Sequence, residues 1–174
     1  DTEHAFALVD QVRQLGSMLI LTGGDPLERP DLFEIIAYAR ALHVPVAVTP
    51  ATTPKLTAPL VAQLKEAGVA ALGLSLDGST PDRHDAFRAV PGTFECAMRA
   101  LEWAKDARLP VQVNTTVSRQ TLDDLPAVFE LLRTRACPPV VRWSLFLVVP
   151  TGRASSSDLP SPREVEELFG WVYE

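Results

Sequence analysis

Apolar residues recur along the chain in two alternating rhythms, a period near 3.6 and a period of two, which predict helices and strands in turn. The first helix runs from about Glu3 to Leu15, with Phe6, Leu8, Val9 and Val12 as its apolar positions, Thr2 available as N-cap and Gly16 as the stop. Strand Ser17 to Leu21 follows, then a helix from about Pro30 to Leu42 and strand Val44 to Thr49. Thr57 can cap and Gly68 can end a helix from Ala58 to Ala67, which leads to strand Ala70 to Leu76. After a polar turn region come helix Phe94 to Ala107, strand Val111 to Val117, helix Leu122 to Arg135 and strand Val140 to Val149. Ser161-Pro162-Arg163-Glu164 then opens a last helix, with Ser at N-cap, Pro at N1 and Glu at N3 forming a capping box. Strands separated by helices at intervals of roughly 25 to 40 residues are what consecutive right-handed βαβ units produce. The order is parallel α/β.

The two faces of the strands narrow this class, because a strand alternates its side chains across the sheet. Leu72, Leu74 and Leu76 share one face and Gly73, Ser75 and Asp77 the other. In the next strand the valines and Thr115 oppose Gln112, Asn114 and Thr116, and in the last Val141, Trp143, Leu145 and Leu147 oppose a face that begins with Arg142 and Ser144. A doubly wound sheet is apolar on both faces, so these polar or small faces line a wet cavity. A complete eight-stranded barrel fills its interior with branched side chains, and a polar interior fits an open or partial barrel better. The alternative is a sheet covered on one side whose other face merely fronts solvent. One helix follows almost every strand, however, and each apolar stripe needs sheet to cover.

Composition adds bounds. The 174 residues, 47% hydrophobic and 22% charged, suit one soluble domain spanning residues 1–174. A net charge of -6 with no basic stripe argues against nucleic acid as a partner. Cys96 and Cys137 fall in no CxxC or CxxxCxxC spacing, so no metal ligand set is read and reduced cytoplasmic thiols are expected. Neither a membrane span nor a signal peptide is visible, and a chain that starts at Asp1 immediately before a helix reads as a fragment.

In parallel α/β folds ligands bind at the carboxyl ends of strands, and the richest loop there is Thr22-Gly23-Gly24-Asp25-Pro26-Leu27. Adjacent glycines allow positive φ and close approach of a ligand to backbone groups, Asp25 adds a carboxylate, and a cationic amine is a sensible guest. An ordinary tight turn explains the same residues. The loop Thr49 to Pro54 reads equally as a rigid connection or a binding loop. Ser75-Leu76-Asp77-Gly78 and Thr80 to Arg88 bring a hydroxyl, carboxylates, a His and two Arg close together, with His84 and Asp85 expected on a solvated surface. Asn114-Thr115-Thr116 and Pro150-Thr151-Gly152-Arg153 complete the set, in which no nucleophile–base pair, P-loop or metal cage is found.

These segments carry a family resemblance. Leu19 to Leu27, with Gly23-Gly24-Asp25-Pro26, resembles the Gly-Gly-Glu-Pro strand and loop of radical S-adenosylmethionine (SAM) enzymes of the SPASM type, and Leu74-Ser75-Leu76-Asp77-Gly78, His84-Asp85 and Arg88 resemble their fourth-strand segment. Val113 to Val117 and Phe146 to Ala154 continue the likeness in order. The resemblance implies a partial (β/α)6 TIM-like barrel, truncated here, with the first strand and its CxxxCxxC cluster loop preceding Asp1. It implies S-adenosyl-L-methionine and a [4Fe–4S] cluster as cofactors, an electron donor as partner, and hydrogen abstraction from a peptide or tetrapyrrole-like substrate. By the same likeness Gly23, Gly24 and Asp25 meet the methionyl amine, Ser75 and Arg88 the carboxylate or ribose, and Asn114 and Thr116 the ribose, with Thr49 beside the cofactor. Asp25 stands where Glu is commoner, one methylene shorter. Without the cluster loop this stretch is not expected to turn over alone.

Two other readings compete. A cluster-free barrel lyase needs a catalytic lysine in the mouth, whereas Lys55, Lys65 and Lys105 fall in a loop or on helices. A non-catalytic module that binds a nucleoside-like ligand needs only the strand-end pocket.

Overall fold

A computed structural model describes residues 1–136, 139–152 and 154–173. Helix α1 spans Thr2–Gln14 and is capped by Asp1, whose carboxylate accepts the His4 N–H at 2.9 Å. Thr2, the cap read from sequence, sits inside the helix and donates its hydroxyl to Asp31 at 2.7 Å, tying α1 to α2 (Leu32–Ala41). A carboxylate caps better here because it also complements the positive end of the helix dipole. Strands β1 (Leu19–Leu21) and β2 (Val46–Val48) are shorter than read. Pro45 accepts from Leu19 N–H but has no N–H of its own to extend the ladder.

Thr57 caps α3 (Ala58–Glu66) by accepting the Leu60 N–H, and β3 (Ala71–Ser75) follows. The stretch read as a polar turn then holds α4, Pro81–Arg88, started by Thr80 at N-cap and Pro81 in the first turn. Its low apolar content hid it from the periodicity. Next come α5 (Thr93–Asp106) and β4 (Val111–Val117). The single helix read from Leu122 to Arg135 is a 3-10 turn Leu122–Asp124, then α6 (Leu125–Leu131), then a wider π turn Leu132–Ala136. After β5 (Val140–Leu147), helix α7 (Pro162–Tyr173) opens on the expected capping box. Ser161 N–H donates to the Glu164 carboxylate at 2.6 Å and Glu164 N–H to the Ser161 hydroxyl at 3.3 Å.

The five strands form one parallel sheet in the order β1-β2-β3-β4-β5, each strand beside its chain neighbour. Leu19 pairs with Val46, Val48 with Leu72, and Leu72 and Leu74 with Val111 and Val113. Paired residues in parallel strands share a face, so these apolar rows point one way. They pack against Val9, Ile36, Val61, Leu64, Ala97 and Leu101 of the helices in one continuous core. Burying each such Val or Leu contributes about 1.5–3 kcal/mol.

The opposite face carries Gly73 and Ser75 beside Gln112 and Asn114, as the alternation predicts. In β4 the pattern holds residue by residue, with Val111, Val113, Thr115 and Val117 buried and Gln112, Asn114 and Thr116 half-buried. In β5 it breaks. A bulge sets Val140 against Val111 and Arg142 against Gln112, so Val141 is the extra residue, 69% exposed, and does not share a face with Trp143 as read. No helix among the described residues is long and apolar enough to cross a membrane.

Candidate functional site

Because the strands are parallel and consecutive, their C-terminal ends lie in one row, and the loops that leave them sit side by side. At the β1 end Gly23 and Gly24 take φ of +84° and +44°, the left-handed region that glycine enters without the steric cost of a side chain. No atom lies within 4 Å of where a Cβ would stand on either, so their backbone faces open space. Asp25 Oδ1 accepts the Leu27 N–H at 3.1 Å, starting a 3-10 turn, and the Ala51 N–H at 3.3 Å. The Gly-Gly-Asp-Pro loop is thereby fastened to the loop that follows β2.

Thr49 enters that second loop with its N–H donating to Leu21 at 2.8 Å. A Cβ on Gly73 would stand 2.3 Å from Thr49 Oγ1, so the bare glycine is what lets the threonine lie over β3. On β3 and β4, Ser75 pairs with Asn114, whose amide oxygen accepts from Gln112 Nε2 at 2.8 Å. Behind them Trp143 Nε1 donates to Thr115 Oγ1 at 2.8 Å, and that hydroxyl donates to the Leu76 carbonyl at 2.6 Å. These bonds stiffen the strand ends from the core side.

Beyond Ser75 the two strands stay joined through side chains. Leu76 N–H still reaches the Asn114 carbonyl at 2.9 Å, and the Asp77 carboxylate then takes the place of a carbonyl and accepts the Thr116 N–H at 2.6 Å. Asp77 N–H donates to His84 Nδ1 at 2.9 Å, and Arg88 Nη2 lies 2.5 Å from Asp77 Oδ2 as an ion pair. The Asp77 side chain is 0% exposed and that of Arg88 35%. Arg88 Nε is buried with no hydrogen-bond partner among the described residues. Gly78 permits this close approach of α4, since a Cβ there would meet His84 N at 2.5 Å and Arg83 Cβ at 2.8 Å.

His84, expected on a solvated surface, is instead fully buried. Burial pushes its imidazole below the usual pKa, with the Asp77 charge pulling the other way. Since Nδ1 accepts, the neutral ring carries its proton on Nε2. Asp85, its neighbour, caps α5 by accepting Gly92 N–H, Thr93 hydroxyl and Phe94 N–H at 2.6–2.9 Å. Burial raises the Asp85 pKa, and these bonds more than offset it, leaving the carboxyl below its ordinary value. The sequence does hold a signal for His84: with Arg88 it makes an i,i+4 pair, which puts both on one face of α4.

The eight residues singled out from sequence thus divide. Gly23, Gly24, Asp25, Thr49, Ser75, Asn114 and Thr116 lie along the strand ends, and Arg88 reaches them from α4 through Asp77. Asp77 and His84 were not among those residues and form the centre of the polar network. Of the last loop, Pro150, Thr151 and Gly152 are exposed, and Arg153, like Cys137, lies outside the described residues. A cavity of about 870 Å³ lies elsewhere. It is apolar, lies between β5, α6 and α7, and is lined by Val117, Phe129, Trp143, Leu168 and Trp171. Its lining is mostly apolar, with Glu130 as its one charged side chain among the described residues. Among the described residues no group of three or more His, Cys, Asp or Glu side chains gathers as a metal site.

A model of the Radical SAM superfamily matches residues 1–132. The chain is 39% identical over 174 residues to the AdoMet-dependent heme synthase of Methanosarcina barkeri, covering 99% of this chain and 49% of that protein. It is 34% identical over 155 residues to the Fe-coproporphyrin III synthase of the same organism, covering 88% of this chain and 38% of that one. A solved structure described as native anSMEcpe with bound AdoMet and Kp18Cys peptide superposes with a TM-score of 0.76 at 17% identity, over 99% of this chain and 52% of that chain. The chain therefore spans about half the length of the relatives it matches, or less.

Proposed function

Given that the chain belongs to the Radical SAM superfamily, we propose that the polar strand ends bind S-adenosyl-L-methionine and that the whole protein abstracts hydrogen from a tetrapyrrole substrate. Residues 1–174 then form one incomplete partial-barrel domain of that protein. The observation that carries the reading is the row itself: open left-handed backbone at Gly23 and Gly24, hydroxyl and amide groups at Thr49, Ser75, Asn114 and Thr116, and the Arg88 side chain, 35% exposed.

These residues fit the cofactor chemically. SAM carries an ammonium, a carboxylate and ribose hydroxyls. The Gly23-Gly24 carbonyls and the carboxylate of Asp25 suit the ammonium, a guanidinium suits the carboxylate, and hydroxyl and amide side chains suit the ribose. The cluster is a different matter. Among the described residues Cys96 is a single half-buried thiol on α5 and no ligand group gathers, so the four-iron cluster would be held by cysteines outside this stretch. In the whole enzyme the cluster supplies the electron that cleaves SAM, and an electron donor must replenish it. The reducing cytoplasm is the fitting compartment. Tetrapyrrole is preferred over peptide on the 39% identity to the M. barkeri heme synthase, which covers 99% of this chain.

The test is anaerobic reconstitution of the full-length protein with iron and sulfide, followed by assay of 5′-deoxyadenosine with dithionite. Product formed with an iron-coproporphyrin and not with peptides supports the reading. SAM bound but never cleaved favours a binding module instead, and no SAM binding removes the proposal altogether.

A further inference from the structure

We propose that Asp77 and His84 are positioning residues that aim the Arg88 guanidinium at the carboxylate of the bound cofactor. This rests on the reading above, in which Arg88 meets that carboxylate. Three contacts fix Asp77: its Oδ1 on Thr116 N–H at 2.6 Å, its Oδ2 beside Arg88 Nη2 at 2.5 Å, and its own N–H on His84 Nδ1 at 2.9 Å. The carboxylate is wholly buried, and a buried charge persists only when it is paired and hydrogen-bonded. Arg88 supplies the pair.

Arg88 is the last residue of α4, and Ala89 after it turns left-handed at φ +56°, so the helix ends where the guanidinium is needed. A purely structural ion pair has no need to expose its cation. Here the carboxylate is 0% exposed while the arginine keeps 35% of its side chain open, with one Nη engaged by Asp77. The guanidinium is planar, so the Nη2 contact with Asp77 anchors one end and the buried Nε keeps that side inward, which leaves Nη1 as the donor for the cofactor. His84 acts one step further back. Its ring holds the Asp77 backbone and sits one turn from Arg88 on the same helix, which locks the distance between α4 and the end of β3. Asp77 also holds the Thr116 backbone, so the groups assigned to carboxylate and ribose are joined through a single side chain.

The experiment titrates the full-length, reconstituted protein calorimetrically with SAM and with decarboxylated SAM, which lacks only the carboxylate. In Asp77→Asn the amide oxygen can still accept from Thr116, while its NH2 cannot pair with Arg88. Affinity for SAM is expected to fall about ten- to a hundredfold, the range for a charge-assisted hydrogen bond. Affinity for decarboxylated SAM stays within a few-fold of wild type. Arg88→Gln is expected to give the same selective loss, and the double variant no more than Arg88→Gln alone, as coupled residues require. If Asp77→Asn does not fold, Asp77→Glu and His84→Asn carry the test, each with the same preference for losing SAM over its decarboxylated analogue. Equal loss of both ligands, unchanged SAM binding or tighter SAM binding overturns the proposal. Failure of the wild type to bind either ligand refutes instead the cofactor reading beneath it.

Discussion

Replacing Gly73 with alanine puts a methyl group 2.3 Å from Thr49 Oγ1 and 3.0 Å from its Cβ and Cγ2, far inside van der Waals contact. Thr49 has a short, branched side chain that cannot swing clear as a lysine would, so either its rotamer or the β2–β3 spacing must change. Overpacking of this kind costs about 1–3 kcal/mol, and a contact this short belongs at the upper end. Alanine also recovers roughly 0.5–1 kcal/mol over glycine within a strand. The clash wins by about 2 kcal/mol, which for a domain of this size lowers Tm by roughly 4–8 °C. Urea unfolding of the full-length protein measures the loss, and SAM titration should show weaker binding because Thr49 leaves its place. Thr49→Ala removes Oγ1 and Cγ2, so Gly73→Ala/Thr49→Ala should regain most of the stability lost by Gly73→Ala. A Gly73→Ala protein as stable as wild type would refute the close approach that places Thr49 over β3.

Two further outcomes follow from the same region. Gly78→Ala meets helix backbone at 2.5 Å rather than a side chain, so α4 must move bodily; a loss of about 3 kcal/mol in urea unfolding is expected, with weakened SAM binding because Arg88 moves with the helix. His84 is buried with its pKa lowered, whereas in the unfolded chain it titrates near 6.5. Between those values the unfolded state holds the extra proton, so stability is full above about pH 6.5 and declines as pH falls below it. Thermal melts from pH 7.5 down to 5 should show that slope in wild type and a flatter one in His84→Asn. Equal slopes would mean that His84 is not held neutral.

Where a side chain's fate depends on its own strand or helix, the sequence was enough. The alternation of β4 is read correctly from Val111 to Val117 because β4 itself carries no extra residue: it pairs in step with β3, and the bulge in its pairing with β5 falls on β5. Gly23 and Gly24 are legible for the same local reason, since a left-handed backbone favours glycine. Features set by neighbours were not. The bulge at Val141 arises from how β5 meets β4, and no period-two pattern records it. Asp1 displaces Thr2 as a cap because Asp31 of the next helix claims the threonine hydroxyl. His84 looked solvated amid Asp82, Arg83 and Asp85, and only the close packing at Gly78 turns its ring toward Asp77. The strand-end residues were nameable from motif order. Asp77, the group that holds several of them together, became visible only once Arg88, Thr116 and His84 had positions.

The central claim is one of location: SAM sits on the polar ends of β1 to β4 and not in the apolar cavity beside β5. Hydrogen–deuterium exchange of the full-length, reconstituted protein with and without SAM tests it directly. Protection is predicted in peptides covering Thr22 to Asp25, Thr49 to Ala51, Ser75 to Gly78 and Asn114 to Thr116, with no change around Phe129, Trp143 and Trp171. Protection confined to those aromatic segments, with the Gly23-Gly24 loop exchanging as freely as before, would contradict it.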